Sequence, residues 1–115
     1  MPLTICIDYD GTFDRIPGIF ARFILDCRKN GCRVFIVSCR KCECTPESHC
    51  ESHRDMKQFA IDSMLDCGLQ IENDGSAVVS VLLTNGAPKR WFMEERGIKV
   101  DIWVDDEPMT IEYGR

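Results

Sequence analysis

The fold is decided by the stretch from Leu3 to Phe13, which reads L-T-I-C-I-D-Y-D-G-T-F. Its first part, Leu3–Ile7, is apolar or β-branched apart from a small cysteine, which is typical of a strand buried on both faces. The strand stops abruptly at two carboxylates, Asp8 and Asp10, which are followed by glycine and threonine. Ligands of open α/β sheets bind beyond the carboxyl ends of the strands. The stretch therefore predicts a buried strand that presents two acids where a ligand binds.

A helix and a second strand follow this first strand. Proline suits the first turn of a helix, so we predict a helix from Pro17 to the Asn30-Gly31 stop. Its apolar face is marked by five residues at helical spacing: Ile19, Phe20, Phe23, Ile24 and Cys27. Cys32–Ser38 is then predicted as a nearly all-apolar strand. Strand, helix and strand in this order form a βαβ unit, whose strands are parallel.

The alternation continues to the end of the sequence. We predict, in order, a helix over Arg54–Cys67, a strand over Ala77–Thr84, a helix ending at Gly97 and a strand over Val100–Val104. Trp91 and Phe92 are the predicted core contacts of the third helix, and Met109–Tyr113 is predicted as a short edge strand. Whether Leu69–Ile71 pairs with the third strand stays open. The pattern predicts a single domain over residues 1–115, an α/β fold of Rossmann-like, three-layer α/β/α type with a mostly parallel sheet.

Composition narrows the class of protein. The chain has 115 residues, of which 44% are hydrophobic and 29% charged, as expected for one globular domain. Its net charge of −5 argues against a general nucleic-acid-binding surface. The sequence shows neither an apolar stretch long enough to span a membrane nor a signal peptide. We therefore expect a cytoplasmic protein whose cysteines are unpaired or metal-bound.

A second acidic pair follows the fourth predicted strand, at Asp105 and Asp106. Because the carboxyl ends of parallel strands share one edge of the sheet, this pair is expected near Asp8 and Asp10. So many carboxylates repel one another unless a cation neutralises them, and Mg²⁺ takes carboxylate, phosphate and water oxygens. The two pairs together predict a Mg²⁺ site, although a single pair would be read as ordinary turn formers.

The segment Ile5–Thr12, I-C-I-D-Y-D-G-T, resembles the first motif of the haloacid dehalogenase-like (HAD) hydrolases, a superfamily dominated by Mg²⁺-dependent phosphatases. The other motifs of that family are matched in order. Ser38 ends the second strand, where the family places a phosphate-binding Ser or Thr. Lys89 begins the third helix, where the family places its Lys, and Ile102–Asp106 is similar to the final acidic motif. The resemblance implies hydrolysis of phosphomonoesters through an aspartyl-phosphate intermediate.

The resemblance also assigns roles to the acids. Asp8 would be the nucleophile, and with a reference pKa of about 3.9 it is expected to be ionised at neutral pH without a base. Asp10 would protonate the leaving oxygen and then activate the hydrolytic water. The Mg²⁺ ligands would be Asp8, Asp10 through its backbone carbonyl, and Asp105, with Asp106 either a further ligand or an acid behind the ligands.

Four residues are the candidate substrate-binding groups: Ser38, Lys89, Thr12 and Arg40. Lys89 would cancel the repulsion between an anionic nucleophile and an anionic phosphoryl group. Ser38 has the alternative role of a hydroxyl that caps a turn. Arg40 is either a bidentate clamp on the substrate or an exposed arginine.

The gaps between the motifs bear on the substrate. Family members with a large cap domain insert it after the first motif or between the third strand and the Lys motif. Here the first gap holds a loop and a helix and the second almost nothing, so no large cap is expected. An open site suits bulky substrates such as nucleotides, nucleic-acid ends or phosphorylated proteins. Small metabolites are the alternative if an oligomer partner or the insertion after the second strand closes the site.

That insertion, at about residues 39–53, reads C-R-K-C-E-C-T-P-E-S-H-C-E-S-H and departs from the family pattern. It contains half of the eight cysteines and both histidines of the chain. The C-x-x-C spacing allows two thiolates to meet one Zn²⁺. A structural Zn²⁺ site, a redox role and an ordinary loop stay open, and the candidate ligands are Cys39, Cys42, Cys44, His49, Cys50 and His53.

Two classes of protein other than an enzyme were weighed. A receiver-like regulatory module also combines acids, a hydroxyl and a lysine around Mg²⁺, but its third strand ends in an acid. Here Leu83 is followed by Thr84 and Asn85, which counts against this class. A zinc-stabilised binding module with a vestigial hydrolase site is the second alternative, and the complete set of acids argues against it.

Overall fold

The structure, a computed structural model, describes residues 3–42, 50–68 and 79–115. In these ranges the strands are β1 (Thr4–Asp8), β2 (Arg33–Ser38), β3 (Ser80–Leu83) and β4 (Ile102–Val104). The helices are α1 (Pro17–Lys29), α2 (Glu51–Asp66), α3 (Lys89–Glu95) and α4 (Met109–Glu112). No described helix is both long and apolar enough to cross a membrane.

The four strands form one sheet in the order β3-β2-β1-β4, and every pairing is parallel. The register sets Ile7 of β1 beside Ile36 of β2 and Val104 of β4. Strands β1 and β4, which carry the two acidic pairs, are therefore neighbours whose carboxyl ends meet. The predicted α/β fold with a parallel sheet is confirmed, and it is compatible with a Rossmann-like arrangement.

Side chains of the central strands alternate between two apolar clusters, as the pleat requires. Ile5 and Ile7 pack in a cluster with buried residues of α1 and α2. Cys6, between them, packs in the second cluster with Phe92 and Met93 of α3. Strand β1 is buried along its whole length, so its end is held firmly from both sides.

Between β1 and α1 the chain makes one wide turn over Tyr9–Phe13, closed by a hydrogen bond of 3.1 Å from the Asp14 amide to the Tyr9 carbonyl oxygen. Gly11 within it has a φ of +81°, which glycine adopts without strain. A Cβ at Gly11 would lie 2.9 Å from Cγ of Asp106, so no larger residue fits there. The glycine of the D-x-D-G-T motif is thus explained by the approach of the second acidic pair.

Three expectations about the secondary structure and the packing of the helices were wrong. Met109–Tyr113 is not an edge strand, since α4 occupies it. Its apolar residues alternate as in a strand, but Met109 and Tyr113 are 71% and 76% exposed, and Ile111 alone is buried. Helix α2 begins at Glu51 rather than Arg54 and therefore takes in the last residues of the cysteine-rich insertion.

The third error concerns Trp91, which is 53% exposed rather than a core contact. Met93 has the core position next to Phe92 instead. Ile19 and Phe23 of α1 are likewise exposed on the helix face predicted to be apolar. Strands β3 and β4 are shorter than predicted, and the Leu69–Ile71 segment lies outside the described residues, as does the start of the predicted third strand.

Candidate active site at the carboxyl edge of the sheet

Three carboxylates meet where β1 and β4 end. Asp8 is the last residue of β1, and Asp105 and Asp106 directly follow β4. One oxygen from each lies within 4.8 Å of the others. The structure thus brings together the ends of two neighbouring strands, as the sequence predicted. Asp10 does not belong to this group of three, and its carboxylate points to a different set of partners.

Lys89, the first residue of α3, inserts its ammonium group among these acids. Its Nζ donates to Oδ1 of Asp8 at 2.7 Å and to Oδ2 of Asp105 at 2.5 Å, and the side chain is only 2% exposed. Burial alone would lower the pKa of Lys89, but the hydrogen bonds to Asp105 and Asp8 outweigh it and raise the pKa. Lys89 is therefore a buried cation held by two carboxylates, rather than the solvated helix residue that its position alone would suggest.

Asp8 is the acid most perturbed by its surroundings. Burial raises the pKa of Asp8 from 3.8 to about 7; the hydrogen bond from Lys89 opposes this rise, and the contact with Asp106 adds to it. The same contact with Asp8 lowers the pKa of Asp106. Without a bound cation, burial thus opposes the ionisation expected for Asp8, and Lys89 offsets only part of this effect.

A divalent cation fits this arrangement. Asp8, Asp105 and Asp106 supply hard oxygen donors that lie close enough together for one ion, and a bound cation would relieve the repulsion among them. Thr12 lies between two of these acids, with its hydroxyl 3.1 Å from Oδ1 of Asp106 and 3.3 Å from Oδ2 of Asp8. The structure therefore places Thr12 where it orients the carboxylates, whereas the sequence suggested a contact with substrate.

Asp10 is bound from both sides by residues that follow β2. Ser38 donates from Oγ to Oδ2 of Asp10 at 2.8 Å. Arg40 approaches Oδ1 with Nε at 2.8 Å and Nη2 at 2.5 Å, and its guanidinium lies over the Tyr9 ring. Both candidate substrate-binding residues therefore contact the acid, and Asp10 is oriented through both of its oxygens.

Asp105, like Asp8, is held by hydrogen bonds from neighbouring groups. The amide of Glu107 donates to its Oδ1 at 2.9 Å, and the hydroxyl of Thr110 lies 3.3 Å from its Oδ2. The sequence analysis missed both partners, because the strand predicted over Met109–Tyr113 would have carried Thr110 away from the site. An acidic motif followed by Pro108 and a short helix was the signal that could have found them.

Cys39 and Arg115 also line the narrow cavity between Asp8 and Asp10, and neither position was predicted there. The cavity has a volume of about 10 Å³, room for about one water molecule, so a phosphate group must displace side chains at its rim. A larger cavity of about 290 Å³ lies between α3 and β4, lined by Met93, Ile98 and Trp103 among others. It contains none of the clustered acids, so the small cavity is the candidate site.

The cysteine- and histidine-rich insertion is only partly described. The Cys39 thiol lies 3.5 Å from the Ala87 carbonyl oxygen, and His53 is fully buried in α2 with Nε2 against the Val81 carbonyl oxygen. Cys39, Cys42, Cys50 and His53 form no metal-binding group within the parts of the chain that the structure describes. Cys44 and His49 lie outside them, and zinc binding stays a prediction.

The acids, the lysine and their partners are thus assembled from β1, β2, α3 and the segment after β4. Comparisons with models of known families, with curated proteins and with solved structures found no match to this chain.

Proposed function

We propose that this protein is a Mg²⁺-dependent phosphatase of the HAD-like type, which hydrolyses phosphomonoesters through an aspartyl-phosphate on Asp8. One observation carries the proposal. The buried ammonium of Lys89 bonds Asp8 and Asp105, and the oxygens of Asp8, Asp105 and Asp106 lie within 4.8 Å. A nucleophilic carboxylate beside a buried cation and a hard-metal site is what attack on a phosphoryl group needs.

The first step is transfer of the phosphoryl group to Asp8. Its carboxylate oxygen forms a bond to phosphorus while the bond to the leaving oxygen breaks, and Asp10 gives its proton to that oxygen. Lys89 neutralises charge on Asp8 and on the transferring oxygens. Mg²⁺ held by Asp8, Asp105 and Asp106 would supply further neutralisation and keep Asp8 ionised.

The second step is hydrolysis of the aspartyl-phosphate. Asp10, now a carboxylate, takes a proton from water, whose oxygen bonds to phosphorus as the bond to Asp8 breaks. Ser38 and Arg40 hold both oxygens of Asp10 and so fix its direction through both steps.

We also propose how the helices are layered, where the protein is located and which class of substrate it takes. We place the helices in two layers around the sheet, without a large cap, since side chains of β1 alternate between two apolar clusters. The cytoplasm is the proposed location. A phosphorylated small molecule, nucleotide or macromolecule is the proposed substrate class.

Hydrolysis of p-nitrophenyl phosphate tests this function. We expect turnover with Mg²⁺ that stops with EDTA, and a loss of at least about 1000-fold in Asp8→Asn. Asp62→Asn is the matched control, because Asp62 is an exposed residue of α2 that bonds only Gln58 among the described residues. Activity that survives Asp8→Asn would overturn the assignment of the nucleophile. No turnover over a panel of phosphomonoesters would favour a binding module instead.

A further inference from the structure

Arg115 lines the small cavity, and Arg40 binds Asp10 beside it, so the two guanidinium groups have different partners. Arg40 donates from Nε and Nη2 to Oδ1 of Asp10. Arg115 is 49% exposed, and its one ion pair with a described residue joins Nη2 to Oε2 of Glu107 at 3.1 Å. Because a guanidinium has five N–H donors, Arg115 retains most of them for another acceptor. Arg115 therefore has more donors available for a ligand than Arg40, two of whose donors already bind Asp10.

The backbone holds Arg115 at this rim. Its amide donates to the Gly86 carbonyl oxygen at 2.9 Å, and the Gly114 amide donates to the Thr110 carbonyl oxygen at 3.1 Å. Gly114 has a φ of +74°, and a Cβ there would lie 2.7 Å from the Pro88 nitrogen. The segment that carries Arg115 is thus packed directly on the loop that precedes Lys89, so the two cations are positioned together.

Arg115 lines the same cavity as Asp10, the proposed acid, and Asp8, the proposed nucleophile. The hydrogen bond to Glu107 is the main cause that raises the pKa of Arg115, and the charge of Asp10 contributes. In the proposed mechanism Asp10 protonates the leaving oxygen. Arg115, half exposed in the lining of this cavity, is therefore available to the part of the substrate that extends out of it and leaves.

We propose that Arg115 is a specificity-determining residue that binds an anionic group in the leaving alcohol. The preferred substrates are then phosphomonoesters whose alcohol bears a carboxylate or a second phosphate close to the ester oxygen. A planar guanidinium matches either anion through two parallel N–H···O bonds. Its exposed pair with Glu107 is a weak competitor, because exposed ion pairs contribute little. This inference rests on the proposed phosphatase function.

A matched pair of substrates tests the role of Arg115. The compounds 3-phosphoglycerate and glycerol 3-phosphate differ in a carboxylate that replaces a hydroxymethyl group. We expect kcat/KM about 10-fold higher for 3-phosphoglycerate, as one charge-assisted contact provides. Arg115→Gln should abolish this preference by raising KM for 3-phosphoglycerate alone, and Arg115→Lys should keep part of it. Arg90→Gln, which removes an exposed arginine paired with Glu112, should leave the preference intact.

Binding gives a second readout that does not need turnover. In an Asp8→Asn background with Mg²⁺, calorimetry should show that Arg115→Gln weakens binding of 3-phosphoglycerate about 10-fold and leaves glycerol 3-phosphate unchanged. Equal preference in wild type and Arg115→Gln would overturn the inference, as would equal losses of kcat for both compounds, which mark a purely structural role. If wild type hydrolyses neither compound nor any other phosphomonoester, the phosphatase function fails. The binding comparison still decides whether Arg115 selects an anionic ligand.

Discussion

Removal of divalent cations should make the stability of this protein depend strongly on pH, and Asp8 should be the cause. Its pKa is about 7 in the folded protein against an ordinary 3.8, a difference of about three units. The folded protein thus holds this proton more tightly than the unfolded chain does. Asp8 therefore adds stability that is complete below about pH 4 and is lost as the pH rises through about 7.

The size of the effect follows from the same shift. One pKa unit corresponds to about 1.4 kcal/mol, so the full difference is worth at most about 4 kcal/mol. Between about pH 5 and pH 8 only the folded protein loses this proton, and the expected fall in the free energy of unfolding is about 2–3 kcal/mol. Against a typical total of about 5–15 kcal/mol, such a fall is easily measured.

Urea denaturation in EDTA, followed by tryptophan fluorescence, measures this fall in the free energy of unfolding. Asp8→Asn carries a neutral amide at this position, so its free energy of unfolding should gain about 2–3 kcal/mol relative to wild type between pH 5 and pH 8. Titrating groups that do not contact Asp8 are common to both proteins and cancel in this difference. Asp62→Asn, which changes an exposed acid, should follow wild type at every pH.

At high pH, Mg²⁺ should restore the stability that is lost when Asp8 ionises. It binds the ionised carboxylate, so its affinity should fall about tenfold for each pH unit below about 7, and its stabilising effect should be larger at pH 8 than at pH 5. Parallel pH profiles for wild type and Asp8→Asn in EDTA would refute the argument. So would a stabilisation by Mg²⁺ that does not change with pH.

Three further predictions concern the same structure. Lys89→Met should destabilise the protein in EDTA by about 3–5 kcal/mol at pH 8, because it leaves buried carboxylates without their cation, and a loss below about 1 kcal/mol in urea denaturation would contradict this. Gly11→Ala and Gly31→Ala both put alanine at a φ near +80°; Gly31→Ala should cost about 1 kcal/mol of stability, and Gly11→Ala should cost more and weaken Mg²⁺ binding in calorimetry, because only its Cβ meets Asp106. Cys6 is fully buried, and burial raises its pKa to about 12, so mass spectrometry should find it unmodified by iodoacetamide until urea unfolds the protein; modification of the folded protein would show that β1 opens.

The features of the fold that follow from local pattern were predictable. Helix α1 begins at Pro17 and ends at Lys29, just before the Asn30-Gly31 stop. The meeting of Asp8 with the second acidic pair was predictable because all carboxyl ends of a parallel sheet share an edge. The pairing of β1 with β4 then brought the acids into contact.

Features that depend on contacts distant in sequence were not predictable in the same way. Nothing local to Arg40 shows that it pairs with Asp10, and nothing near Arg115 shows that the chain returns to the loop before Lys89. The same limit explains Trp91 and Phe92, which are adjacent aromatic residues on one helix. Which of the two is buried depends on the face that α3 turns to the sheet.

The pairing of β4 with β1 also limits the order in which parts of the molecule can fold. Thr12 and Asp106, which share a hydrogen bond in the acid cluster, are 94 positions apart in sequence. The ladder that joins their strands spans only three residue pairs, from Ile5–Ile102 to Ile7–Val104. The acid cluster therefore cannot form before β4 docks, and contacts of such long range form slowly. A bound cation would then link β1 to β4. Release of the cation would depend on fraying of β4, a short strand at the edge of the sheet.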